Sequence, residues 1–198
     1  CPDSTYAANI EFAEALHSDK SREGAKSSIQ KIATPNKKTC EEVAEFLKIP
    51  VKKIVKTLAV VVNDEMVLLL LRGDHNLNEL KAQKNPLLQD FRLANEKEIF
   101  NKINCRAECI GPIGTELTIV SDVSVMEMSD FTCGSNEEGY HYTGVNFGRD
   151  MKEPDHVFDI RNVISGDLSP DGKGKLEICR GIEVGHIFKL HAEYSKKM

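Results

Sequence analysis

The sequence predicts an α+β domain in which a mixed central β-sheet is flanked by helices. Two aliphatic, β-branched runs, Thr57 to Val62 and Met66 to Leu71, lie close together and lack polar alternation, as strands buried on both faces do. Helix-start signals stand between the strand-like stretches, at Thr39 with Glu42 and at Asn95 with Glu98. Strands and helices do not alternate regularly, which separates this pattern from a doubly wound sheet.

Taken in order, Tyr6 to Leu16 has helical spacing, with Tyr6, Ile10 and Ala13 on one face. Ser18 to Ser28 is polar and charged and reads as a linker. Pro35 and Asn36 break the chain. The capping box at Thr39 and Glu42 then predicts a helix that buries Val43, Phe46 and Leu47 and stops before Pro50. The two aliphatic runs read as a hairpin of central strands turning at Asn63, Asp64 and Glu65. Arg72-Gly73-Asp74-His75 closes the second strand, and Leu77, Leu80 and Lys81 fit a short helix ending before Pro86. Asn95 and Glu98 open a further helix carrying Ile99 and Ile103, and Leu117 to Val120 is the next strand. Phe131 to Gly134 and Tyr140 to Phe147 read as strands joined through Ser135, Asn136 and Gly139. Pro170-Asp171-Gly172 marks a turn before Leu176 to Cys179.

With 198 residues, 40% of them hydrophobic, the chain can bury one core. Its longest apolar run, Met66 to Leu71, is far short of the roughly 20 residues that cross a bilayer, so a soluble, cytoplasmic chain without a membrane partner is expected. The chain starts at Cys1 with no leader pattern, which suggests a piece of something longer. Six cysteines in such a chain read as free thiols, and the spacing of Cys105 and Cys109 is not that of a zinc knuckle, so no metal is expected. A net charge of −5 argues against gripping nucleic acid by bulk electrostatics. Lys37, Lys38, Lys52, Lys53 and Lys56 form a local basic stretch, either a solvated face or a patch for a nucleic acid held elsewhere.

The residues with chemical potential are Lys56 beside a buried strand, Asp74 and His75, Asp122 after a strand, and His141 between two tyrosines. Gly111-Pro112-Ile113-Gly114 and Gly134-Ser135-Asn136 are turns able to bring backbone N–H groups to a ligand carbonyl or phosphate. Nucleotide-binding glycine motifs and a nucleophile elbow are absent from the sequence. A metal-dependent hydrolase built on His75, Asp74 and His156 has residue type alone behind it. These residues by themselves leave the function open.

Longer strings go further. Cys1-Pro2-Asp3-Ser4-Thr5-Tyr6-Ala7-Ala8-Asn9-Ile10-Glu11 resembles the exit from the catalytic core of bacterial prolyl-tRNA synthetases. Gly166-Asp167-Leu168-Ser169-Pro170-Asp171-Gly172 and Arg180-Gly181-Ile182-Glu183-Val184-Gly185-His186-Ile187-Phe188 resemble the return into it. Val55-Lys56-Thr57-Leu58, Arg72-Gly73-Asp74-His75-Asn76-Leu77-Asn78 and His141-Tyr142-Thr143-Gly144-Val145-Asn146 are similar to the editing domain inserted in that family, which also exists as stand-alone trans-editing deacylases.

The resemblance implies an α+β editing-domain fold over residues 21–170, flanked by core segments at 1–20 and 171–198 whose ends fray without the rest of the enzyme. It implies hydrolysis of the ester in proline tRNA mischarged with alanine. Alanine is smaller than proline, and a pocket gains only about 1–3 kcal/mol of discrimination per methylene, so a second sieve is needed. By resemblance Lys56 is the lysine on which editing depends, His141 shapes the amino-acid pocket, and Asp122 is a carboxylate near the same site. Gly111 and Pro112 end a Gly-x-x-x-Pro loop whose amides suit an oxyanion, with Gly134 and Asn136 as further substrate-binding residues. Glu108 departs from the first glycine of that loop, where a left-handed backbone would be strained, and His191 departs from a small residue in the return. Water is the expected nucleophile, with no cofactor or metal in the editing domain. For the parent the resemblance implies ATP and magnesium, ligation of proline to its tRNA, a homodimer and a cytoplasmic setting. The alternative is a catalytically silent insertion that only supports the tRNA acceptor end or the synthetase fold.

Overall fold

The computed structural model describes residues 1–17 and 21–181. Twelve regular elements are described: β1 (Gln30–Ala33), α1 (Cys40–Leu47), β2 (Val55–Val62), β3 (Glu65–Arg72), α2 (Glu79–Gln83), β4 (Arg92–Leu93), α3 (Glu96–Ile103), β5 (Thr118–Asp122), α4 (Val123–Met126), β6 (Phe131–Gly134), β7 (Tyr140–Val145) and β8 (His156–Phe158). The architecture is α+β, as expected, but the strands divide into two sheets. A five-stranded mixed sheet has the order β4-β2-β3-β5-β8, and a three-stranded antiparallel sheet has the order β1-β7-β6.

The hairpin is the spine of the larger sheet. β2 and β3 pair antiparallel from Val55 with Arg72 to Val62 with Glu65, leaving only Asn63 and Asp64 in the turn. Both have positive φ, 48° and 65°, the left-handed pair that the twist of a two-residue hairpin requires and that Asn and Asp adopt most readily among side-chain-bearing residues. β3 pairs parallel with β5, and β5 parallel with β8. Leu68 to Leu71 are fully buried. Leu68 and Leu70 face a core shared with Phe131, Cys133 and Val145 of the smaller sheet, while Leu69 and Leu71 face Ala82, Leu88 and Ile160. That two-sided burial is why the run carries no polar alternation, and each leucine so buried contributes about 2–3 kcal/mol.

Both capping boxes form. Thr39 accepts from the Glu42 N–H while the Glu42 carboxylate accepts from Thr39 N–H, and Asn95 and Glu98 do the same for α3. Each helix stops at a left-handed residue, Lys48 or Asn104. Two expectations fail. Phe46 of α1 is 45% exposed, because the helix rests on Val43 and Ala44 and turns Phe46 toward Lys37. Tyr6 to Leu16 is not helical; it runs irregularly, with Leu16 bridged to Leu168 and Ala13 packed on Val163 and Leu176. Those tertiary partners outweigh a local periodicity with no cap behind it. Residues 1–17 are therefore tied to residues 163–178, and the Asn78 amide also donates to Glu11 O. The return string over 182–188 and His191 lie outside the described residues.

β4 touches β2 only around Ala59 to Val61, so the outer edge of β2 from Lys56 to Leu58 is free of strand partners among the described residues. A parallel bridge from Ile54 to Thr132 brings the smaller sheet alongside just before that edge. The functional cavity opens there.

Candidate functional site

The cavity, of about 290 Å³, lies between the free edge of β2, the first turn of α1, the turn at Ala107–Cys109 and the β6–β7 sheet. Lys56, Thr57, His141, Gly134, Cys40 and Glu108 are among its lining residues. Lys56 and His141 thus meet, although they are far apart in sequence. Lys56 is half-buried, and its Nζ donates to Gly73 O at 3.3 Å. Among the described residues this is its one bond, which leaves two ammonium protons for a ligand.

His141 is buried on β7, and its Nδ1 shares a hydrogen bond of 2.6 Å with Thr34 Oγ1. Thr34, itself fully buried, follows β1, whose register sets Ile32 opposite His141. Burial lowers the His141 pKa below its ordinary value, so the ring is neutral at pH 7. With Nδ1 engaged by Thr34, Nε2 is the nitrogen left for a ligand.

Two cavity residues went unnoticed in the sequence. Thr57 Oγ1 is buried with no hydrogen-bond partner among the described residues. An unsatisfied buried hydroxyl costs about 1–3 kcal/mol, and with the oxygen enclosed by protein atoms a ligand in the cavity does not reach it. A threonine inside an aliphatic strand gave no signal, since threonine is an ordinary strand residue. Cys40, at the start of α1, has its thiol pKa raised by burial, an effect the nearby Lys56 charge opposes. The thiol therefore stays protonated at neutral pH.

The loop residues act on the scaffold. Gly111 N–H donates to Asn136 Oδ1 at 2.7 Å, Asn136 Nδ2 donates to Ile113 O, and Asn136 N–H donates to Cys109 O. The Gly111 amide is therefore committed, and the expectation that it holds an oxyanion is corrected. Gly111 and Gly134 meet so closely that a Cβ on Gly111 would stand 1.8 Å from Gly134 O. Of the four loop residues Gly134 alone lines the cavity; Pro112 is buried beside it. Glu108 lies inside a 3-10 turn and is not among the positive-φ residues, so the departure from glycine carries no backbone strain.

Asp122 is placed away from the cavity lining. Fully buried, it caps α4 by accepting from Ser124 N–H and Oγ, and its other oxygen accepts from Ile160 N–H. His75 joins the same network through Ser124 Oγ at 3.1 Å. Asp122 holds β5, α4 and the segment after β8 together, a scaffold role in place of the substrate contact expected. The lysine stretch is likewise dispersed: Lys38 and Lys56 line the cavity, Lys53 donates to Ser129 O, and Lys37 lies over Phe46. Among the described residues no three His, Cys, Asp or Glu side chains gather as a metal site, and no helix is long and apolar enough to cross a membrane.

An α+β domain with a lysine ammonium and a neutral imidazole beside one small cavity has an arrangement able to hold a small polar group. Solved structures share the fold: a computationally designed epitope scaffold at TM-score 0.59 and 17% identity, covering 69% of this chain and 88% of that one, and a candidate trans-editing enzyme for prolyl tRNA synthetase at TM-score 0.53 and 18% identity, covering 68% and 87%. The chain belongs to the aminoacyl-tRNA editing domain family, which matches residues 34–151. It is similar over its full length to the proline–tRNA ligase of Nitrosomonas eutropha, at 57% identity, and to that of Dechloromonas aromatica, at 52%. The chain spans about a third of the length of these curated relatives, 35% and 36%.

Proposed function

We propose that this domain hydrolyses the ester linking alanine to the terminal ribose of proline tRNA, as the editing unit of a proline–tRNA ligase. The observation that carries the reading is the meeting of Lys56, Thr57 and His141 around one cavity in a chain of the aminoacyl-tRNA editing family. Water attacks the ester carbon and the carbonyl oxygen gains charge. The Lys56 ammonium stabilises that oxyanion, where the loop amides were first expected. The bond to the ribose oxygen then breaks, that oxygen takes a proton, and alanine leaves. An aminoacyl ester is already activated, so positioning and charge stabilisation supply the catalysis without a protein nucleophile. Neutral His141, held by Thr34, forms a fixed wall that admits alanine and rejects the larger proline ring.

The parent enzyme in this reading joins proline to its tRNA with ATP and magnesium, as a cytoplasmic homodimer, and residues 1–20 and 171–198 belong to its core. The test is release of amino acid from alanine-charged and proline-charged proline tRNA by this chain, its Lys56→Ala variant and the full-length parent. Selective alanine release, reduced about 100-fold or more in the variant, is expected. Equal release by the variant overturns the assignment of Lys56. A parent that leaves alanyl-tRNA intact makes the domain a silent acceptor-end support.

A further inference from the structure

A second groove, of about 580 Å³, adjoins the cavity; Lys38 and Glu108 line both. Its other lining residues include Lys97, Phe100 and Glu96 of α3, and Arg106. Phe100 is 56% exposed, while its neighbour Ile99 carries the buried face of α3. The ring has no part in the core, and leaving a phenyl group in water forgoes about 1.5–3 kcal/mol of burial. In a chain of net charge −5, three cations, Lys38, Lys97 and Arg106, line the groove that holds this ring. Among the described residues Arg106 pairs with one carboxylate, the exposed Glu138, at 3.3 Å.

An exposed ring bordered by Lys and Arg is the arrangement that binds single-stranded nucleic acid, the ring stacking on a base and the cations meeting phosphates. An apolar peptide fits less well, because charged groups border the ring. The carboxylates of Glu96 and Glu108 offer acceptors to base amino groups and sugar hydroxyls. We propose that this groove seats the unpaired 3′-terminal nucleotides of the tRNA, with a base stacked on Phe100, so that the acyl group enters the cavity past Glu108. The inference rests on the ester-hydrolysis reading for the direction in which the strand lies.

The test is fluorescence anisotropy of a labelled, unacylated RNA hairpin with a single-stranded 3′ end, set against a blunt-ended hairpin. The proteins are the unmodified chain, Phe100→Ala, Phe100→Tyr and Lys97→Glu. Loss of the ring weakens binding of the overhang at least fivefold, tyrosine restores it, and Lys97→Glu weakens it and flattens the salt dependence. The blunt hairpin gains nothing from the ring. In parallel, Phe100→Ala lowers kcat/KM more for alanyl-tRNA than for 3′-alanyl-adenosine, which lacks the upstream nucleotides. Ring-dependent binding by a chain that hydrolyses neither substrate keeps the groove and overturns the hydrolytic reading. Hydrolysis and binding that both ignore Phe100 overturn the groove and keep the hydrolytic reading.

Discussion

Thr34 Oγ1 and His141 Nδ1 lie 2.6 Å apart, linking the residue after β1 to the start of β7. The bond fixes both the plane of the imidazole and the nitrogen left for the cavity. Thr34→Val keeps the shape and removes the bond. It should lower the ratio of alanine to proline release about two- to tenfold, since a net hydrogen bond contributes about 0.5–1.5 kcal/mol. Thr34→Ser should retain the ratio. Competition between alanyl- and prolyl-tRNA is the readout; an unchanged ratio for Thr34→Val would mean that the ring is held by packing alone.

Thr57→Val tests whether the hydroxyl meets the ligand. The hydroxyl has no partner within the described residues, so the isosteric valine should leave the melting temperature unchanged or slightly raised. Deacylation should stay within about twofold of normal, because the enclosed oxygen does not reach the cavity. A large fall in deacylation at an unchanged melting temperature would show that the hydroxyl meets the ligand.

The crossing of Gly111 and Gly134 should tolerate no side chain. A Cβ on Gly134 would stand 2.2 Å from Ile110 O and 2.5 Å from Cys109 O, backbone atoms that cannot turn aside. Gly111→Ala and Gly134→Ala should each cost about 3 kcal/mol or more, at the upper end of overpacking. Gly114→Ala, with open space but a φ of +72°, should cost only about 1–2 kcal/mol. Urea denaturation ranks the three, and equal costs would refute the close crossing.

His75 predicts an acid-sensitive step in stability. Burial, aided by the Arg161 and Arg72 charges, lowers its pKa from 6.5 to about 4. Between those values the unfolded chain takes a proton that the folded chain refuses, so stability falls as pH falls through that window, by about 3 kcal/mol at most. His141, also lowered, adds in the same direction. His17, raised by its hydrogen bond to Asp159, acts outside this window, since its contribution is fully present below pH 6.5 and lost as pH rises through its folded value. Replacing His75 by Gln should therefore flatten the slope between pH 6.5 and 4. Identical slopes in both proteins would exclude His75 as the source.

The two capping boxes, the Asn63-Asp64 turn and the buried hairpin were legible in the sequence, because each depends on neighbours within a few residues or on burial of a whole apolar run. β1, β4, β8 and α4 were not. Each is two to four residues long and exists through its partner, as β8 does by lying parallel to β5. The irregular path of Tyr6 to Leu16 is the same lesson reversed, since contacts with Val163, Leu168 and Leu176 override a local helical spacing.

For the site, sequence alone determined which residue types were available and, through the long strings around Lys56 and His141, which family they resembled. Tertiary structure decided their roles. Lys56 and His141 share a cavity only because the Ile54–Thr132 bridge sets the two sheets side by side. Asp122 turns inward to cap α4, the Gly111 amide is taken by Asn136, and the Thr57 hydroxyl is enclosed without a partner among the described residues. Whether a polar group serves a ligand or the fold depends on which donors and acceptors surround it, and these come from segments tens of residues away that no local pattern can specify.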